Sequence, residues 1–81
     1  MAVFLYVIKS MMNAELYVGI TQDVNRRLKD HEQGKNRYTK GLRPWNLVLT
    51  KEYENWQSAR DKEKYYKSGF GKERLKKLLA P

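Results

Sequence analysis

With 81 residues the chain has room for one domain, 1–81, around one small core, since chains of this size bury only about 60% of the surface they expose when unfolded. It has no cysteine, which excludes disulfide staples, zinc–thiolate clips and thiol nucleophiles. A net charge of +8 and a pI near 9.8 point to polyanionic partners, nucleic acid before anionic membrane.

Ala2 to Ile8, AVFLYVI, is a continuous apolar run rich in β-branched and aromatic residues, which predicts a strand covered on both faces. No apolar run approaches the ~20 residues of a membrane span. The opening Met1 to Ile8 also lacks the basic start and cleavage site of a secretion signal, so a soluble cytoplasmic protein away from the membrane is expected. Lys9 to Ala14 reads as a hairpin loop in which Asn13 tolerates turn geometry. Glu15 to Ile20 then alternates, with Leu16, Val18 and Ile20 on one face and Tyr17 and Gly19 on the other.

Thr21 is the expected cap of a helix over about residues 22–33, with Asp23 in its first turn, Val24 and Leu28 on its apolar stripe and Gly34 as its stop. Residues 34–44, GKNRYTKGLRP, read as the longest irregular segment. Seven cations against Asp30 and Glu32 put a net +5 into residues 26–43, most of the charge of the chain. The candidate nucleic-acid-binding residues there are Arg26, Lys35, Arg37, Tyr38, Lys40 and Arg43; a solvated helix and loop is the plainer alternative. Trp45 to Tyr53 is strand-like, with Trp45, Leu47 and Leu49 expected on one face and Val48 on the other.

Asn55 can cap a second helix whose inward stripe is Trp56, Ala59, Glu63 and Tyr66. A carboxylate on that stripe is costly to bury unless it meets a cation, donors or a metal. Gly69 and Gly71 punctuate the chain, and Leu75, Leu78 and Leu79 mark a terminal helix. This order of elements predicts an α+β fold, a small antiparallel sheet with helices packed on its faces.

Hydrolysis of a phosphodiester requires a base to prepare water, positive charge for the phosphoryl oxygens and support for the leaving oxygen. Tyr6, Tyr17, Arg27, His31 and Glu63 can fill those roles. Arg27 and His31 are four apart, so both project from one helical face, with Asp30 expected on the opposite turn. A guanidinium offers phosphate a fork of donors. One inward carboxylate suits one hard divalent cation that keeps several waters and takes a substrate phosphate as a further ligand. Plainer roles stay open at this point: half-buried sheet tyrosines, an exposed arginine and histidine, and a Glu63 paired with Arg60, Lys64 or Lys67 on its own helix.

Phe4-Leu5-Tyr6 and Tyr17-Val18-Gly19 resemble the two half-motifs of the GIY-YIG nuclease domain family. The similarity continues through Gly19-Ile20-Thr21, Arg26-Arg27-Leu28, Asp30-His31 and Gly34. Arg37-Tyr38-Thr39, Arg43-Pro44-Trp45, Leu47-Val48, and Ala59, Glu63, Lys67 and Ser68-Gly69 extend it over nearly the whole chain. The chain looks like the small stand-alone members. The one departure is Phe4 and Leu5 where the motif has Gly and Ile.

The resemblance implies a three-stranded antiparallel sheet flanked by about three helices and an endonuclease that uses one divalent ion, Mg2+ or Mn2+, to cleave DNA phosphodiesters. It makes Tyr6 and Tyr17 the paired active-site tyrosines, Arg27 the phosphate-binding arginine, Glu63 the metal ligand and His31 a helper. Tyr6 is the expected base toward water, with Tyr17 orienting water or phosphate. A phenol of ordinary pKa near 10 would need help in that role from Arg27, His31 or metal-bound water. Without an appended DNA-reading module, little sequence specificity is expected. Structured or damaged DNA is the expected substrate, and repair or recombination the expected setting. The alternative is an accessory module that binds nucleic acid through the same fold with little or no turnover. The oligomeric state is open, because one active site cuts one strand.

Overall fold

Val3–Ser10 form β1, and the computed structural model, which describes residues 2–80, explains why its sequence is apolar throughout. Met1 and Pro81, the ends of the expected domain, lie outside the described residues. β1 is the middle strand of a three-stranded antiparallel sheet of order β2-β1-β3, with β2 at Leu16–Thr21 and β3 at Trp45–Tyr53. Successive side chains of a strand point to opposite faces, and β1 is covered on both. Leu5 and Val7 join Val18 and Leu75 in the core, while Tyr6 and Ile8 are buried on the other side. The hairpin closes through side chains: Ser10 Oγ accepts from the Met12 and Asn13 amides, Asn13 Oδ1 accepts from the Glu15 amide, and Ala14 takes the left-handed conformation at φ 64°.

Helix α1, Val24–Glu32, is shorter than the pattern predicts because its cap is Asp23, whose carboxylate accepts from the Arg26 amide. Thr21, the expected cap, accepts from the Asp23 amide one turn earlier and shapes the entry instead. Gly34 follows at φ +78°, a left-handed conformation that favours glycine and stops the helix.

Residues 34–44 are more ordered than an irregular segment would be. Asn36 accepts from the Tyr38 and Thr39 amides and starts a one-turn helix, α2, Arg37–Lys40. The segment is then tied down by its own polar groups. Arg43 donates to the Lys40 and Glu32 carbonyls, Trp45 Nε1 donates to the Thr39 carbonyl, and Ser10 Oγ donates to the Leu42 carbonyl.

β3 departs from simple alternation. Val7 pairs with Leu49 and Ile8 with Leu47, so Val48 is an extra residue between them. Such a bulge turns the side chains beyond it. Val48 and Leu49 both pack on the core, and Leu47, expected to face with Leu49, is exposed. Helix α3, Trp56–Lys67, is capped by Asn55 as expected. Its Ala59 is buried and Glu63 and Tyr66 are half-buried, but Trp56, in the first turn, lies largely in solvent. Ser68 breaks the chain and caps helix α4, Gly69–Leu79, through the Gly71 amide, so Gly69 and Gly71 lie inside its first turn rather than outside a helix. Leu75 and Leu79 of α4 and Tyr66 of α3 close the core over β1 and β2. No helix among the described residues is long and apolar enough to cross a membrane.

The cross-strand pair Tyr6 and Gly19 fixes the geometry of the opposite face. A Cβ on Gly19 would stand 2.5 Å from Tyr6 Oη and 2.6 Å from its Cζ, so only glycine leaves room for the Tyr6 ring to lie across β2. Gly19→Ala is therefore expected to lose about 1–3 kcal/mol of stability through overpacking of a buried ring. Urea denaturation of parent and variant measures the loss, and an unchanged midpoint would show that the ring has somewhere else to go.

Candidate active site

Tyr6 is 1% exposed, and its hydroxyl is held from two sides. It lies 2.8 Å from His31 Nε2 and accepts from Arg27 Nε at 3.3 Å. Both partners come from α1, where a spacing of four residues stacks them on the side facing the sheet. His31 is fully buried, and its second ring nitrogen, Nδ1, is 2.8 Å from Thr39 Oγ1 of α2. One assignment satisfies every donor of this chain. Tyr6 donates to His31 Nε2, His31 Nδ1–H donates to Thr39 Oγ1, and Thr39 donates at 3.4 Å to the Asn36 carbonyl.

Tyr17 lies beside Tyr6 with ring centroids 6.4 Å apart, and its ring meets His31 edge-on at 5.0 Å. Unlike Tyr6 it is only half-buried, and its hydroxyl accepts from Asn36 Nδ2 at 3.3 Å. Tyr38 stacks on its ring at a centroid distance of 6.1 Å and is 54% exposed, so an aromatic column runs from the buried site to solvent. Access thus separates the two phenols. Tyr17 is open to an incoming molecule, whereas Tyr6, expected as the base toward water, stands behind it.

Glu63 comes to the same place from α3. Its side chain is 18% exposed and its charge acts on Tyr6. Lys67, four residues on, holds the carboxylate at 3.2 Å and sits 5.8 Å over the Tyr17 ring. Of the pairings open to Glu63 in the sequence, this is the one formed. Among the described residues no cluster of three or more His, Cys, Asp or Glu gathers here, so Glu63 is a lone hard donor, which would suit only a divalent ion that keeps most of its water.

The electrostatics follow from burial. Tyr6 is pushed up to about 12 because its surroundings desolvate the phenolate, and the hydrogen bond from Arg27 only partly opposes this. Help from Arg27 therefore does not make Tyr6 a ready base. His31 is pushed below its ordinary value, by burial first and by Arg27 second, so it stays neutral and able to accept a proton. Arg27 is pushed up by its bond to Tyr6 and stays charged. Asp30, expected on the opposite turn, is instead beside it at 3.7 Å, because positions three apart on a helix are neighbours.

The structure brings together Tyr6, Tyr17, Arg27, His31 and Glu63. The basic residues are spread around them. Arg26, Arg37 and Lys40 are exposed, Lys35 pairs with Asp30 at 3.3 Å, and Arg43 commits two donors to carbonyls that hold the loop. Two residues of the site are given no role by the sequence. Asn36, the cap of α2, orients Tyr17, and Thr39 of α2, read only as part of the family-like Arg37-Tyr38-Thr39, orients His31. Their signal was an Asn able to cap a turn between Gly34 and Gly41, in a stretch whose composition reads as loop.

The family model for the GIY-YIG catalytic domain matches residues 2–77. The chain is 37% identical over 65 residues to the UPF0213 protein YazA of Bacillus subtilis, covering 79% of this chain and 65% of that one, so it spans just under two thirds of that relative. It is 38% identical over 61 residues to a UPF0213 protein of Staphylococcus aureus, covering 74% of this chain and 73% of the relative. The solution NMR structure of a UPF0213 protein from Bacillus halodurans superposes over all of this chain and 89% of its own, with TM-score 0.61 and 34% identity. The family model's match runs through the strands and helices that carry the five gathered residues, and the chain belongs to the GIY-YIG catalytic domain family.

Proposed function

We propose that this protein is an endonuclease that hydrolyses DNA phosphodiester bonds with the help of one divalent ion, Mg2+ or Mn2+, and with little sequence specificity. The observation that carries the proposal is the convergence of a charged arginine, two phenols, a neutral histidine and one carboxylate around the Tyr6 and Tyr17 rings from four separate elements. Structured or damaged DNA is the substrate in this reading, and repair or recombination is the corresponding setting.

Tyr17 and Arg27 meet the substrate in this reading. The partly exposed guanidinium, side chain 36% exposed, is fixed at Nε by Tyr6 and has Nη1 3.7 Å from Asp30, so a phosphoryl oxygen would meet its outer edge in competition with that loose pair. The Tyr17 hydroxyl, steadied by Asn36, orients water or a phosphate oxygen. Tyr6 and His31 form the pair behind them. A proton arriving at the Tyr6 oxygen can be matched by transfer of the Tyr6 proton to His31 Nε2, so Tyr6 need not become a free phenolate. Glu63 would hold the divalent ion, which supplies positive charge to the phosphoryl and leaving oxygens. Lys67 would then give up the carboxylate.

A non-cleaving nucleic-acid module is the second reading. Exposed Tyr38, stacked on Tyr17 and flanked by exposed Arg37 and Lys40, favours it, since stacking on a base requires no turnover.

Nicking of supercoiled plasmid with Mg2+ or Mn2+ decides between the two. Glu63→Ala and Arg27→Ala are each expected to lose about 100-fold or more in rate, the scale of removing one charge-stabilising group. Equal activity in parent and variants would place cleavage elsewhere, and no cutting by a protein that binds DNA would favour the second reading.

His31 makes a separate prediction about stability. Its folded pKa lies below its unfolded value of about 6.5, so on acidification the unfolded chain takes up the proton first. Its contribution is present above about pH 6.5 and is lost as pH falls from there toward the depressed folded value. Urea midpoints across that range should fall with pH in the parent and fall less steeply in His31→Phe; parallel slopes would mean that His31 is protonated inside the fold.

A further inference from the structure

Two hollows run away from the candidate site along the seam between β2 and the last two helices. The first, about 160 Å³, begins at Tyr17 and Lys67 and continues past Leu16, Tyr66 and Lys72. The second, about 410 Å³, begins at the same Leu16 and Lys72 and opens between Lys9, on the strand side, and Lys76. Their shared residues make them one groove that starts at a phenol of the site. Lys72 and Lys76 are four apart on α4, so their stems lie on the same helix face, about 6 Å apart along the axis. Four lysines thus line the groove: Lys67 at its inner end, Lys72 in the middle, and Lys9 and Lys76 at its mouth, with Glu15 the one acidic residue of the lining. Lys67 is bonded to Glu63 at 3.2 Å, and Lys76 lies 3.9 Å from Glu73 on the exposed helix surface. None of the four belongs to the basic segment of residues 26–43, which carries the cations on the other side of the tyrosines.

We infer that this groove is a second nucleic-acid subsite, which holds the phosphodiester backbone of the DNA strand flanking the scissile phosphate. The inference rests on the proposed function for its substrate and extends it to residues outside the catalytic cleft. Two features argue for a strand and against a small anion. The lysines follow one another along the seam, and Leu16 and Leu79 lie between them, which suits sugar edges passing between successive phosphates. The groove is also continuous with Tyr17, so a strand that places one phosphate at Arg27 can place following phosphates at Lys67, Lys72 and Lys76.

The test is the salt dependence of binding, measured without divalent metal so that turnover plays no part. Fluorescein-labelled single-stranded and duplex DNA of arbitrary sequence are titrated by anisotropy at several salt concentrations. Each phosphate contact contributes about 0.7 on single strands and 0.9 on duplex to the slope of log K against log salt. Lys72→Gln with Lys76→Gln is expected to reduce the slope by about 1.4–1.8 on this scale. Lys64→Gln with Lys77→Gln removes the same charge from exposed positions outside the groove and is expected to leave the slope nearly unchanged. Lys9→Gln, on the strand wall, gives an independent reading if the helix substitutions disturb α4, with an expected reduction of about 0.7–0.9.

Equal slope changes in the groove pair and the control pair, or competition by polyglutamate as effective as that by DNA, would overturn the subsite. A protein that nicks plasmid through Glu63 while its groove variants keep the parent slope would lose the groove and keep the site. A parent that does not bind DNA would lose both.

Discussion

The hydrogen bond between Tyr6 and His31 spans 25 residues and is buried on both sides, and the candidate site is built outward from it. Burial makes such a bond decisive, because a phenol and an imidazole removed from water each need a partner, and a mismatch leaves a desolvated polar group. Satisfying Tyr6 sets the rotation of α1 over the sheet. That rotation puts Arg27 Nε on the same oxygen, with Nη1 beside Asp30 on the same helix. Satisfying the other nitrogen of His31 requires Thr39, which requires α2, which brings Asn36 to Tyr17. A chain of polar requirements therefore assembles elements that share few apolar contacts. The main apolar core lies on the other face of the sheet, around Leu5, Val7, Val18 and Leu75.

Separating the two faces reconciles a chain of net charge +8 with a site containing buried titratable groups. Excess cations repel one another at the surface and favour a polyanionic partner. Inside, neutrality is maintained: burial drives Tyr6 to remain a phenol and His31 to remain uncharged, and Arg27 keeps its charge because its bond to Tyr6 favours the guanidinium. The site thus lies between a neutral interior that holds geometry and a cationic rim that would draw in a polyanion. Neither would serve alone, since a dry network without the rim attracts nothing and a basic surface without the network orients nothing.

How much of this was legible in the sequence depends on the kind of signal. Apolar runs and alternation name β1 and β2 correctly because burial writes directly into hydrophobicity, and the three-stranded antiparallel α+β fold follows that reading. Val48 broke the pattern in β3, since a bulge inserts a residue without changing composition. The helix caps show a similar limit. Thr21 and Asp23 are both good caps two residues apart, and only the backbone decides which carboxylate or hydroxyl faces the free amide. Tyr6, Tyr17, Arg27, His31 and Glu63 could be named as a set from chemistry and motif. Asn36 and Thr39 could not, because their work is to orient other side chains, and polar residues between two glycines carry no mark of what they point at.

Glu63 shows how one residue serves two requirements of the fold. Placed on the inward side of α3, a lone carboxylate would carry an uncompensated charge next to two phenols, which a folded chain tolerates poorly. Lys67, one turn on, supplies the compensation and lies over the Tyr17 ring as well. The pair is held loosely by comparison with a buried ion pair, since the lysine side chain is 52% exposed and its flexible stem can carry the ammonium away at little cost. A cation of higher charge could take the carboxylate in its place, and the freed ammonium would then swing toward the seam where Lys72 stands. On the proposed function, the carboxylate that breaks the apolar stripe of α3 would in this way be compensated when no other cation is present and available when one is. What the structure itself accounts for is the basic neighbour four residues away, which offsets a charge that an inward-facing acid would otherwise carry alone.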